Sequence, residues 1–467
     1  MGKILGHFIM PHPPILVSEV GKGEELDAAS TIDACFNVAK EIRELEPETI
    51  IIITPHGPMF RDAIALTDSN HISGDFGNFN APDVEFDITI DLNLTESIKN
   101  YAHGMGVPII AINEDIAGRY NISHELDHGA MVPLYFVNKE YSNYKLVHIT
   151  YGLLSETDLY KFGMSIKQAV ELSNTNVVVI ASGDLSHKLN DKAPYGYSPE
   201  GKVFDEKILD LLKSGDVMGV FDMDKDMIES AGECGLRSFD ILLGTMEGRK
   251  ISGEILSYEG PFGIGYGVMR FNADEIDDKN YLEKIIDKRK STMKKIRENE
   301  DKYVNLARET LEHHIKTGET IAMPSYVTED MLNEQRGVFV SLKKDGELRG
   351  CIGTIFPAYE NTAEEIIRNA IEAGERDPRF SPVEEEELDD IIYSVDVLMP
   401  PEEASRETLD PKKYGVIVRS GGKTGLLLPD LSGVDTATEQ IDIALKKAGI
   451  NPLENYKIER FEVIRHK

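Results

Sequence analysis

The chain has 467 residues, 41% of them hydrophobic and 28% charged, which suits two or three globular domains and excludes collagen-like, low-complexity and wholly disordered classes. Lys and Arg number 50 against 82 Asp and Glu, and the resulting net charge of -32 repels phosphate, so neither nucleic acid nor an anionic membrane is an expected partner. Three distant cysteines (Cys35, Cys234, Cys351) give no disulfide framework and fit a cytoplasmic protein, and no apolar run is long enough for a signal peptide or a membrane span.

Taken in chain order, residues 3–10 read as a strand and residues 27–45 as a helix. Residues 49–54 (TIIIIT) are a continuous β-branched run, as expected of a strand buried on both faces. Residues 84–91 (VEFDITID) alternate, which suits a half-exposed strand nearer an edge. A helix over 95–105, strands over 107–112 and 145–150, and a helix over 156–172 follow. Residues 176–182 (NVVVIAS) form a second continuous run, and 201–212 has helical spacing. This alternation predicts an α/β domain over residues 1–272, with a mostly parallel sheet flanked by helices. From Ala273 to Lys302, 18 of 30 residues are charged, and residues 273–300 read as an exposed, partly helical connector.

Residues 301–467 differ in pattern. A helix over 301–317 precedes two apolar runs around Asp345-Gly346, a strong hairpin signal. A helix over 362–373, strands over 391–398, 416–419 and 425–428, and a helix over 436–448 complete an α+β domain with a mainly antiparallel sheet.

Nine of the 12 histidines lie in the first 190 residues. Three of them follow apolar strands: His12 in MPHPP, His56 in TPHGP and His187 in SGDLSH. Ligands bind beyond the carboxyl ends of strands in open α/β sheets, so parallel strands would put these imidazoles at one rim. Glu233, in AGECG, would complete the set. Two histidines and one carboxylate leave positions open on a metal, the pattern of non-haem Fe(II) oxygenases.

The MPHPP, TPHGP, LDHGAMVPL (126–134), SGDLSH and GECG segments together resemble the class III extradiol ring-cleavage dioxygenases, specifically their LigB-like catalytic subunit, over residues 3 to 271. The resemblance implies iron ligation by His12, His56 and Glu233. It implies His187 as the acid/base group and His128 as a hydrogen-bonding group over a catechol-type substrate that reacts with dioxygen. An imidazole with a pKa of ~6.5 can pass a proton in both directions. Asp184 and Ser186 are candidates to orient His187 or to cap a helix. Memo-like proteins share the architecture and the strand-end histidines. In that reading Cys234 is the ligand, copper or zinc is the metal, and no ring is cleaved. A non-catalytic scaffold is a third reading, and the oligomeric state, a homo-oligomer included, stays open.

Leu348-Arg349-Gly350-Cys351-Ile352-Gly353, RDPRFSP (376–382) and GLLLP (425–429) resemble the AMMECR1 family over residues 300 to 467. That family occurs beside Memo-like and radical-SAM proteins, which implies a radical-SAM partner. Arg349 and Cys351 fall on one strand face, where a cation could favour thiolate, though a buried small cysteine in a Gly-rich strand is the plainer reading. Arg349, Arg376 and Arg379 are candidates for an anion pocket, with ordinary ion pairing the alternative.

Overall fold

The continuous apolar runs do become strands buried on both faces in the computed structural model, which describes residues 1–431 and 433–467. The chain divides into two units, residues 1–288 and 289–467.

The first unit contains β1 (Ile4–Met10), β2 (Thr49–Thr54), β3 (Ile64–Thr67), β4 (His71–Phe76), β5 (Ala81–Thr89), β6 (Ile109–Ile112), β7 (Lys145–Thr150), β8 (Val177–Ser182), β9 (Ser252–Glu259) and β10 (Tyr266–Asn272). Eight of these form one sheet in the order β6-β3-β7-β2-β8-β1-β10-β9. The central strands β7, β2, β8 and β1 are parallel. At one margin β3 and β6 run parallel to each other but antiparallel to β7. At the other, β10 is antiparallel to β1 and β9 to β10. Every residue of β2 and β8 is buried.

The period of two splits the central strands between two cores. Ile51, Ile53, Val177 and Val179 pack with the helices Glu156–Leu172 and Leu236–Gly244. Ile50, Ile52, Val178 and Ile180 pack with the helices Ala29–Leu45 and His128–Glu140. The alternating segment expected near the edge of this sheet lies mainly in β5. It pairs with β4 in a separate two-stranded ribbon and meets the main sheet through an isolated Ile90–Leu146 bridge. The charged segment carries the helix Tyr281–Asn299, whose Tyr281 and Ile285 are buried.

The second unit holds two antiparallel sheets. The first, in the order β12-β11-β13-β18, comprises β11 (Val338–Lys344), β12 (Glu347–Gly353), β13 (Ile391–Leu398) and β18 (Val463–His466). The second, in the order β14-β17-β15-β16, comprises β14 (Glu402–Glu403), β15 (Gly415–Ser420), β16 (Lys423–Leu427) and β17 (Lys457–Phe461). The β11–β12 turn has Asp345 at φ 54° and Gly346 at φ 86°, the two positive values that an Asp-Gly hairpin turn requires. Among the described residues no helix is long and apolar enough to cross a membrane.

Candidate metal centre

His12, His56 and Asp184 each stand two residues beyond the last residue of β1, β2 and β8. These strands are parallel, with Met10 level with Ser182 and Ile53 level with Ala181, so the three side chains start from one rim. His12 Nε2 lies 3.0 Å from His56 Nε2. The His128 ring stacks on His56 with centroids 4.1 Å apart. Cys234 Sγ is 3.6 Å and Asp184 Oδ2 3.8 Å from His12 Nε2. Two groups follow, His12/His56/His128 and His12/Asp184/Cys234, with ligand atoms in each within 4.8 Å of one another.

The local chain explains this convergence. Gly57 and Gly129 are needed, because a Cβ on either would fall 2.0 Å from Thr150 Oγ1 or 2.3 Å from Thr54 Oγ1. A Cβ on Gly183 would fall 2.2 Å from Gly235 Cα, so the loops carrying Asp184 and Cys234 touch at the main chain. His128 is the first residue of a helix whose N-terminus is capped by Asp127 Oδ1, which accepts from Ala130 N–H.

The hydrogen bonds assign the His12 tautomer. The Ser182 hydroxyl donates to Gly129 O at 2.5 Å, so its oxygen accepts from His12 Nδ1–H at 2.9 Å. The Nε2 lone pair is thereby left facing the cluster, as in a metal-ligating histidine. Burial lowers the pKa of His12 and His56, and lowers that of His128 to about 4, so the imidazoles are neutral donors. Behind them Asp127 Oδ1 accepts from Thr54 Oγ1 at 2.6 Å, and its Oδ2 lies 2.8 Å from His148 Nε2. Burial opposes ionisation there, but the bonds from His148 and Thr54 outweigh it and hold Asp127 down at about 2. Burial pushes Asp184 up to about 6 and the Cys234 thiol well above its ordinary value. Three imidazoles in one group, and an imidazole, a carboxylate and a thiol in the other, are donor sets that suit a divalent transition metal, with His12 common to both.

The structure brings His12, His56 and His128 together. His187 stands beside them, close enough for the charge of Asp184 to oppose the lowering of its pKa by burial. Its Nε2 is buried with no hydrogen-bond partner among the described residues, and its ring stacks on Tyr195 at 5.6 Å. Glu233 belongs to neither group: its Oε2 accepts at 2.6 Å from the N–H of Leu236, the first residue of the helix Leu236–Gly244. Of the adjacent pair, it is the Cys234 thiol that faces His12. Among the described residues neither Asp184 nor Ser186 is hydrogen-bonded to the His187 ring: Asp184 Oδ1 accepts from His12 N–H, and the Ser186 hydroxyl donates to Ala231 O. A cleft of ≈ 1040 Å³ opens at His56 and His128, with Phe79 edge-on to His128 at 5.4 Å. Phe79 and Tyr195 are aromatic residues of the site that sequence reading missed, because neither lies in a strand-end motif.

In the second unit the expected anion pocket is not free. Arg349 is bidentate to Glu387, at 3.0 and 2.8 Å, Arg376 bonds Glu372 at 2.8 Å, and Arg379 bonds Asp377 at 2.9 and 2.6 Å. Each guanidinium is taken by a neighbouring carboxylate. Cys351 Sγ accepts from the Ser341 hydroxyl at 3.2 Å.

Comparison with known proteins agrees with this division. A family profile described as the catalytic LigB subunit of aromatic ring-opening dioxygenase matches residues 6–269, and the AMMECR1 profile matches residues 304–466. Protein CA_C1420 of Clostridium acetobutylicum is 55% identical over 463 residues, covering 99% of each chain. A Thermotoga maritima protein is 49% identical over 171 residues, covering 36% of this chain and 98% of its own. Among solved structures, the uncharacterized protein PH0010 of Pyrococcus horikoshii is 35% identical with a TM-score of 0.33, over 35% of this chain and 88% of that one. The chain belongs to the family of the LigB catalytic subunit of aromatic ring-opening dioxygenases, here joined in one polypeptide to an AMMECR1 domain.

Proposed function

We propose that the first unit is a non-haem Fe(II)-dependent dioxygenase of the extradiol ring-cleavage type, acting on a catechol-type or related aromatic substrate. The observation that supports it is the 3.0 Å approach of the His12 and His56 Nε2 atoms beside the cleft that His56 and His128 line. His12 and His56 would hold the ion, with the third ligand from Glu233, as the GECG motif implies, or from Asp184. Bound Fe(II) supplies Lewis acidity and a redox path that no side chain offers.

The chain's own residues do the rest. Ser182 fixes His12 so that its lone pair faces the ion. His187, whose Nε2 has no hydrogen-bond partner among the described residues, takes a proton from a substrate hydroxyl and later returns one. His128 donates a hydrogen bond over the substrate. Phe79 lines the cleft and presents its ring edge-on to His128.

A second reading rests on Cys234, whose thiol stands 3.6 Å from His12 Nε2. A thiolate ligand suits zinc or copper and a Memo-like metal-binding or redox protein, with a radical-SAM partner and no ring cleavage. Metal analysis of the purified protein, then anaerobic Fe(II) loading and oxygen uptake on a catechol panel, separates the two. His12→Ala and His56→Ala are expected to lose metal, and His187→Ala to keep metal and lose uptake. Cys234→Ser retaining iron and activity supports the first reading. Loss of metal in that variant, with no oxygen uptake by the wild type on any catechol, supports the second.

A further inference from the structure

The cleft beside His56 and His128 has an unusual charge lining. Among the described residues five carboxylates line it (Asp75, Glu85, Asp87, Glu125 and Asp127), and no lysine or arginine does. Asp127 is held by His148, whose Nε2 lies 2.8 Å from its Oδ2. The others are exposed, and among the described residues none is ion-paired to a lysine or arginine; Asp87 faces only His71, at 3.3 Å.

The ribbon makes this sharper. Asp75 is directly opposite Glu85 in the β4–β5 register, and Ser73 is opposite Asp87. Like charges directly opposite across two strands are destabilising, and the ribbon supplies no cation between them. The rest of the lining mixes the apolar side chains of Phe79, Phe86, Met59 and Met131 with the polar Ser73, Asn78 and Ser123. One cavity thus joins a pair of stacked imidazoles, an aromatic and aliphatic floor, and a pair of facing carboxylates without a counter-charge.

We propose that this cleft takes an aromatic ligand bearing a cationic amine, with its ring against Phe79 and His128 and its ammonium among Asp75, Glu85 and Asp87, and that it rejects carboxylated aromatics. The proposal rests on the ring-cleavage reading only for where the ring sits; the charge selectivity stands on the cleft itself. It names the substrate class of that site, since a carboxylate placed there would meet four exposed negative charges and no positive one.

The test is equilibrium binding, without added metal or oxygen, so it does not depend on turnover. Tyramine, 4-ethylphenol and 4-hydroxyphenylpropionate share a phenol body and differ in the charge of the tail. Ligand-observed NMR titration of the full chain is expected to rank them cation, neutral, anion, with tyramine favoured over the acid by about tenfold. A triple variant, Asp75→Asn with Glu85→Gln and Asp87→Asn, is expected to abolish that preference. A control triple outside the cleft, Asp33→Asn with Glu44→Gln and Asp210→Asn, removes the same charge and is expected to leave it intact.

Equal binding of amine and acid overturns the proposal, as does an equal effect of the control triple or the absence of binding by any probe at millimolar concentration. Calcium chloride displacing tyramine at lower concentration than tyramine itself requires also overturns it, in favour of a metal-ion site on the ribbon. Loss of metal in the His12 and His56 variants bears on the ring-cleavage reading alone, so the two can fail separately.

Discussion

Asp127 makes three bonds from a buried position: it accepts from the Thr54 hydroxyl, caps the helix that starts at His128, and holds His148. An amide at this position cannot accept from all three partners. Asp127→Asn is expected to cost about 1–3 kcal/mol, the usual penalty for leaving a buried hydrogen-bonding group without its partner. Urea unfolding measures it, and a cycle with His148→Ala should show strong coupling; a cost near zero, or simple additivity, would sink the assignment. Much of the site's position could be read from residue order. His12 and His56 were legible because a strand end followed by Pro or Gly fixes where the next side chain goes. The choice between Glu233 and Cys234 was not, because adjacent residues at a helix start point in different directions and only the backbone dihedrals say which one faces inward. Asp184 reads equally as an orienter of His187 or a helix cap, and nothing local shows that His12 N–H, 172 positions away, bonds to it.

Between elements, a close approach that a single side chain would disrupt is at Gly163. It lies in the helix Glu156–Leu172 against Leu236–Gly244, where a Cβ would fall 2.0 Å from Ile241 O and 2.8 Å from Gly244 Cα. Gly163→Ala must push two helices apart and is expected to lower stability by about 1–3 kcal/mol. Gly104, at the end of the helix Leu92–Gly104 with nothing within 4 Å of a built Cβ, is the control, and Gly104→Ala should be neutral or slightly stabilising. Thermal melts of the two variants decide it. Elements with a clean period were legible, β2 and β8 from their unbroken apolar runs and the β11–β12 hairpin from Asp345-Gly346. The helix His128–Glu140 was not read as one, because Gly129 through Val137 are all buried and Pro133 sits inside it, leaving no polar face to set a period. β3 is four residues long, too short for its pattern to stand out.

For the molecule as a whole, acid is the informative stress on the second unit. Burial raises the carboxyl of Glu387, but Arg349, the Glu384 main chain and Lys344 together hold it down at about 2, below its ordinary 4.5. A folded-state pKa below the unfolded one contributes stability that is present above 4.5 and lost as pH falls from 4.5 towards 2. Calorimetry from pH 5 down to about 2 should show a transition of this unit that Glu387→Gln makes less dependent on pH; an unchanged slope would remove the ion pair from the account. Each unit has its own buried clusters, centred on Ile51 and Ile52 in one and on Val340 and Ile366 in the other. Because a single polypeptide carries both, every ribosome that finishes the chain delivers them in equal number. Neither can be made in excess, and no regulation of one gene against another is needed to keep their dosage matched.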